Sequence, residues 1–159
     1  LAATTPQAVD LLLSYDMFAT SGRDYHFYIT DAQGDGRVVE FDCDSPERLP
    51  VVTPTRQVTN FFVMHEDKVA PFQRNGAYGH GRERYDAISA VLDEAPMGQD
   101  AQVTAWKALR TASQEPNPED VTSNTQWSIV FDNANLTADV ALRRRWGDVH
   151  HADIHGNMV

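Results

Sequence analysis

Two strand-like runs meet across a short stretch of turn chemistry near the start of the chain. Tyr25-His-Phe-Tyr-Ile-Thr30 is aromatic and β-branched, and Arg37-Val-Val-Glu-Phe-Asp-Cys43 reads as its return strand. Between them, Asp31-Ala-Gln-Gly-Asp-Gly36 holds glycines free to take positive φ. The three together predict a β-hairpin. A second hairpin is expected late in the chain. Thr125-Gln-Trp-Ser-Ile-Val-Phe131 sets Trp127, Ile129 and Phe131 on one face, Asp132-Asn-Ala-Asn135 turns, and Thr137 to Trp146 returns.

The rest of the chain changes period. Thr5 to Phe18 reads as a helix, with Thr5 able to cap it, Pro6 at a favoured first position, and Ala8, Leu11, Leu12 and Tyr15 at helical spacing. A polar loop with Pro46, Pro50 and Pro54 leads to Gln57–Met64, read as a strand, and Ala70–Gly81 is an irregular connection. From Arg82, the residues Tyr85, Ile88, Val91 and Leu92 fit a helix ended before Pro96. Asp100 to Ser113 fits another, burying Val103, Trp106 and Leu109. Strands grouped apart from helices predict an α+β fold, mostly antiparallel sheet with helices packed on one face. A single domain over 1–159, with a flexible tail from 147, is the expectation.

Charge and cysteine content narrow the chemistry. The 159 residues carry 13 basic against 23 acidic side chains, a formal net charge of −10, which disfavours nucleic acid because phosphate binding needs clustered Lys and Arg. The basic run Arg143-Arg144-Arg145 reads as a solvated strand end. No apolar run approaches the roughly 20 residues that span a bilayer, so no membrane partner is expected. Cys43 is the only cysteine, so neither an intrachain disulfide nor a thiolate metal site is expected, and no metal ligands are assigned. No cofactor is implied.

Several residues carry candidate chemistry. Asn60 interrupts Val58-Thr-Asn-Phe-Phe62, and its amide can donate to a substrate carbonyl oxygen or be satisfied by a neighbouring backbone. Arg82-Glu-Arg84-Tyr85 puts cations at a helix N-terminus, against the macrodipole. Glu83 can offset them locally, or a guanidinium can face a cleft and pair with an anion. His150, His151 and His155 include an i, i+4 pair suited to a metal if helical, but the stretch lies at the chain end and reads as a frayed tail. His26, His65 and His80 are dispersed. Gly76, Gly79 and Gly81 lack the ending of a phosphate loop, and Asp31–Gly36 lacks the ligand pattern of an EF-hand.

Taken in order, four segments resemble a known family. Tyr28-Ile-Thr-Asp-Ala-Gln-Gly-Asp-Gly-Arg-Val-Val-Glu40, Val58-Thr-Asn-Phe-Phe62, Gly81-Arg-Glu-Arg-Tyr85 and Thr125–Asp132 resemble the linear amide C–N hydrolases. That group includes choloylglycine hydrolase and penicillin V acylase, with the related isopenicillin N acyltransferases. The resemblance implies an αββα N-terminal-nucleophile (Ntn) sandwich, in which an N-terminal cysteine attacks an amide carbonyl and its own α-amine serves as base. It assigns Asn60 to the oxyanion site and Arg84 to the active-site network. It begins about halfway along a typical member. The chain therefore reads as the C-terminal part of such an enzyme, inactive alone, with the nucleophile elsewhere. Its partners would be an N-acyl amide substrate and either the missing N-terminal half or a second copy. The alternative is a non-catalytic binding or scaffold domain that keeps the sandwich.

Overall fold

A computed structural model describes residues 2–17 and 25–153. They form a mixed α+β arrangement with two three-stranded antiparallel sheets. The chain divides into two compact units, Leu1–Glu83 and Arg84–Val159.

In the first unit, α1 (Thr5–Leu13) precedes a meander of β1 (Phe27–Thr30), β2 (Gly36–Phe41) and β3 (Pro50–Pro54), with β2 in the middle. The predicted hairpin is present, in a register that sets Phe27 opposite Val39 and Thr30 opposite Gly36. Its turn is held by Asp31, whose Oδ1 accepts the Gln33 and Asp35 N–H groups at 3.0 and 3.1 Å. The helix is capped by Thr4, not Thr5, and ends at Leu13; Phe18 lies outside the described residues. Thr5 is instead buried. Its N–H donates to Asp31 Oδ2 at 2.8 Å and its hydroxyl to the Asp35 carbonyl at 3.0 Å, fastening α1 to the hairpin turn.

The third strand falls where a proline-rich loop was expected. Val51, Val52 and Thr53 pair with Glu40, Val39 and Val38, and the two prolines sit at the ends of β3. Proline is tolerated there because, among the described residues, β3 is bonded on one side only, so its missing N–H costs no ladder bond. Gln57–Met64, expected as a strand, is not one. Phe61 makes a single bridge to Gly79, and Val63–Lys68 forms a 3₁₀ helix.

The cause lies on β2. Val38, Val39 and Glu40 are all fully buried, and the two-residue alternation of a strand puts Glu40 and Val38 on one face. The Glu40 carboxylate accepts the Val63 N–H through Oε1 and the Met64 N–H through Oε2, both at 2.8 Å. These donors lie in the first turn of the 3₁₀ helix and have no partner within it. Once Glu40 takes them, they cannot join a sheet ladder. At the other end of that helix, Arg82 Nη1 donates to the Glu66 carbonyl at 2.7 Å, which gives this cation a reason to stand at the start of the next helix.

In the second unit, α2 (Arg82–Asp93, entered from the first unit) and α3 (Ala101–Ala112) are followed by β4 (Trp127–Asp132), β5 (Thr137–Leu142) and β6 (Val149–Asp153), paired in that order. Asp100 caps α3 by accepting the Gln102 N–H at 2.8 Å. Val103 is exposed rather than buried, and Ala108 is the buried residue of this helix. Strand β6 replaces the start of the expected tail. His151 pairs through Nδ1 with Asp139 Oδ1 at 2.6 Å, and His155 lies outside the described residues. In the basic run, Arg143 and Arg144 both take positive φ. Arg144 clamps the Glu115 carboxylate with two guanidinium nitrogens, which holds that carboxyl below its usual range.

Replacing Glu40 by alanine removes two charge-assisted hydrogen bonds of about 1.5–3 kcal/mol each. We expect Glu40→Ala to destabilise the protein by about 3 kcal/mol or more, measured by urea denaturation, with Val63 and Met64 amide exchange accelerated. Glu40→Gln, which keeps one acceptor oxygen, should cost less. A pH effect is expected at Asp31, whose carboxyl is held below its usual range chiefly by the Thr5 N–H. A depressed carboxyl contributes its full stabilisation above the unfolded value of about 4 and loses it as pH falls through the folded one. The protection factor of the Thr5 amide, taken against its intrinsic rate at each pH, should therefore fall as pH drops below about 4, and Asp31→Asn should abolish that dependence.

Candidate functional site

Phe61, Phe62 and Val63 are buried, whereas Asn60 is exposed at a bend. The tension between an amide and a buried strand is resolved by the backbone. The Asn60 carbonyl accepts the His80 N–H at 2.8 Å, and the Phe62 N–H donates to the Tyr78 carbonyl at 3.0 Å. This short pairing pins the chain on both sides of Phe61 and leaves Asn60 at the rim. Gly79 makes the pairing possible. Its φ is +100°, and a Cβ there would collide with the Asn60 carbonyl oxygen and the Phe61 Cα. Thr59 ties the preceding residue down by donating its hydroxyl to the Gly81 carbonyl at 3.0 Å.

Within the first unit these segments line an open cavity of about 760 Å³ with His26, Thr59, Asn60, Phe62, Gly79 and His80 on its walls. Phe61 and Phe62 give it an apolar side, while the Asn60 amide and the two imidazoles provide polar groups. Such a mixture suits a ligand with an apolar body and a hydrogen-bonding head. His26 is fixed from behind, its Nδ1 lying 3.2 Å from Glu40 Oε1 and its ring edge-on to Phe62. The same carboxylate that starts the 3₁₀ helix thus orients a cavity histidine.

His26 and Glu40 were not coupled by sequence reasoning, although the signal was present. Once the hairpin register sets Phe27 opposite Val39, the preceding residue falls opposite Glu40. Arg84 sits half-buried on the first turn of α2, in the second unit, and Asn60 belongs to the first. Cys43 is not in a strand: β2 ends at Phe41, and Cys43 occupies the turn that follows, half-buried. It does not line the cavity.

No protein family matches the sequence, and neither a curated protein nor a solved structure does. The residues and their geometry therefore carry the functional reading.

Gly79→Ala should collapse the Asn60–Phe62 pairing. A side chain at this φ, together with a backbone collision, should cost about 2–3 kcal/mol. Thermal denaturation would measure the loss, and shifted Asn60 and Phe62 amide resonances would locate it.

Proposed function

We propose that this chain is the C-terminal, substrate-facing part of a cysteine Ntn amidohydrolase acting on a linear amide C–N bond. The observation that carries this reading is the placing of Asn60. Its carbonyl accepts the His80 N–H and the Thr59 hydroxyl ties down the residue before it, at the rim of a cavity with an apolar wall and a carboxylate-oriented histidine. The order of the four segments that resemble linear amide hydrolases supports it. So does the exposed face of β4, where Trp127 and Phe131 are 64% and 60% exposed, as expected of sheet that packs against another layer in an αββα sandwich.

On this reading the nucleophile is supplied from outside the 159 residues. A cysteine thiol adds to the amide carbonyl carbon while its α-amine takes the thiol proton. Negative charge develops on the carbonyl oxygen, where the Asn60 amide donates to it. The C–N bond then breaks, the amine leaves with that proton, and water hydrolyses the thioester. The resemblance alone gives Arg84 a role in ordering the nucleophile's surroundings. The substrate is an N-acyl amide whose acyl part is apolar, since Phe61 and Phe62 line the cavity.

The chain alone should bind such an amide without turning it over, with the Asn60 side-chain amide and the Gly79 and His80 amides shifting in a ¹⁵N–¹H titration. Joined to its cysteine-bearing segment, it should release amine. Asn60→Ala should then lower kcat by about 10²–10³ with little change in KM, as loss of one oxyanion donor does. An unchanged kcat in that variant would sink the role of Asn60. Binding without turnover in the joined protein would instead favour the scaffold reading.

A further inference from the structure

Outside the cavity, the turn after β2 and the 3₁₀ helix bring together a second set of side chains. The Cys43 thiol, a carboxylate oxygen of Asp44 and a ring nitrogen of His65 lie within 4.8 Å of one another. Adjacent residues on a strand would point to opposite faces. Cys43 and Asp44 escape that rule because β2 has ended, and the Asp44 N–H folds back onto Asp42 Oδ1 at 2.9 Å.

His65 supplies an independent sign that the cluster is built for a ligand. Its side chain is only 9% exposed, yet among the described residues Nε2 has no hydrogen-bond partner. That nitrogen faces the turn, 3.5 Å from Asp42 Oδ1 and 3.9 Å from Asp44 Oδ2, too far for a hydrogen bond to either. Leaving a buried polar atom unsatisfied is costly, and native interiors rarely do so. The ring is held in place by packing against Tyr78, with centroids 4.5 Å apart. His65 also interrupts the helical φ/ψ of its own 3₁₀ segment.

We propose that Cys43, Asp44 and His65 bind a divalent transition metal of the zinc class. A thiolate, an imidazole and a carboxylate are the donors that Zn²⁺ accepts, whereas Mg²⁺ and Ca²⁺ require oxygen ligands. Metal–ligand lengths of about 2.0–2.3 Å in a tetrahedron put donors about 3.5 Å apart. The three atoms therefore need only a modest contraction. Three protein ligands leave a fourth position for water. The Asp44 carboxylate now accepts the Tyr78 hydroxyl at 3.1 Å and pairs through Oδ2 with Lys68 at 2.8 Å; Lys68, on a half-exposed flexible stem, acts as the resident counter-cation that the metal displaces, and Tyr78 keeps one oxygen. The bound ion would tie the turn after β2 to the 3₁₀ helix, next to the contact by which Glu40 ties β2 itself to that helix.

The test uses the 159-residue protein under reducing conditions, with His150, His151 and His155 replaced by glutamine so that they cannot compete. Cobalt(II) is titrated alone, because thiolate ligation gives a near-ultraviolet charge-transfer band that carboxylates and imidazoles do not. We expect one equivalent to bind with that band, zinc to displace it, and the thermal midpoint to rise with zinc. Cys43→Ser should abolish the band, and His65→Gln or Asp44→Asn should weaken binding at least tenfold, with metal-free circular dichroism confirming that each variant folds. Lys68→Met should tighten binding. Saturation without the thiolate band, equal affinity in Cys43→Ser and the parent, or weaker binding in Lys68→Met would each overturn the proposal.

Discussion

One buried carboxylate organises the first unit. Glu40 lies on the central strand of its sheet, fully buried, where a charged group is tolerated only if its oxygens are satisfied. Two backbone amides from Val63 and Met64 and the ring of His26 do this. Because those amides are drawn to a side chain, the chain leaving Phe62 must turn into a 3₁₀ helix. Because it turns there, Phe61 and Phe62 are driven inward and Asn60 is left at the rim. The cavity wall, the orientation of His26 and the position of His65 all follow from the same contact.

The parts of this arrangement that were legible in the sequence are those set by local rules. The Asp31–Gly36 turn and both hairpins follow from strand propensity and turn chemistry, and α3 from its spacing and its Asp100 cap. What failed depends on contacts distant in sequence. Gln57–Met64 has strand-forming residues, but Glu40, more than twenty positions earlier, takes the N–H groups that a strand would need. Strand β3 was hidden by Pro50 and Pro54, which signal a loop unless the strand is known to be bonded on one side only. Strand β6 is built of Val149-His-His-Ala-Asp153, mostly exposed, so no apolar alternation announces it; pairing with β5 holds it. The candidate site divides in the same way. Asn60 stood out because it broke an apolar pattern, whereas His26, Glu40 and His65 are ordinary in sequence and distinctive only through burial and partners.

Glu40 also bears on what His26 can do. Both carboxylate oxygens already accept backbone N–H groups, so in the contact with His26 the Nδ1–H is the donor. A neutral imidazole that donates from Nδ1 carries its lone pair on Nε2, and the tautomer is thereby fixed by the same group that fixes the fold. An accepting nitrogen and a donating amide, His26 and Asn60, then line one cavity. Glu40 itself is fully engaged by the Val63 and Met64 N–H groups and by His26. Its part in the cavity is therefore positional, and any change at Glu40 reaches the cavity through both the histidine it holds and the helix it starts.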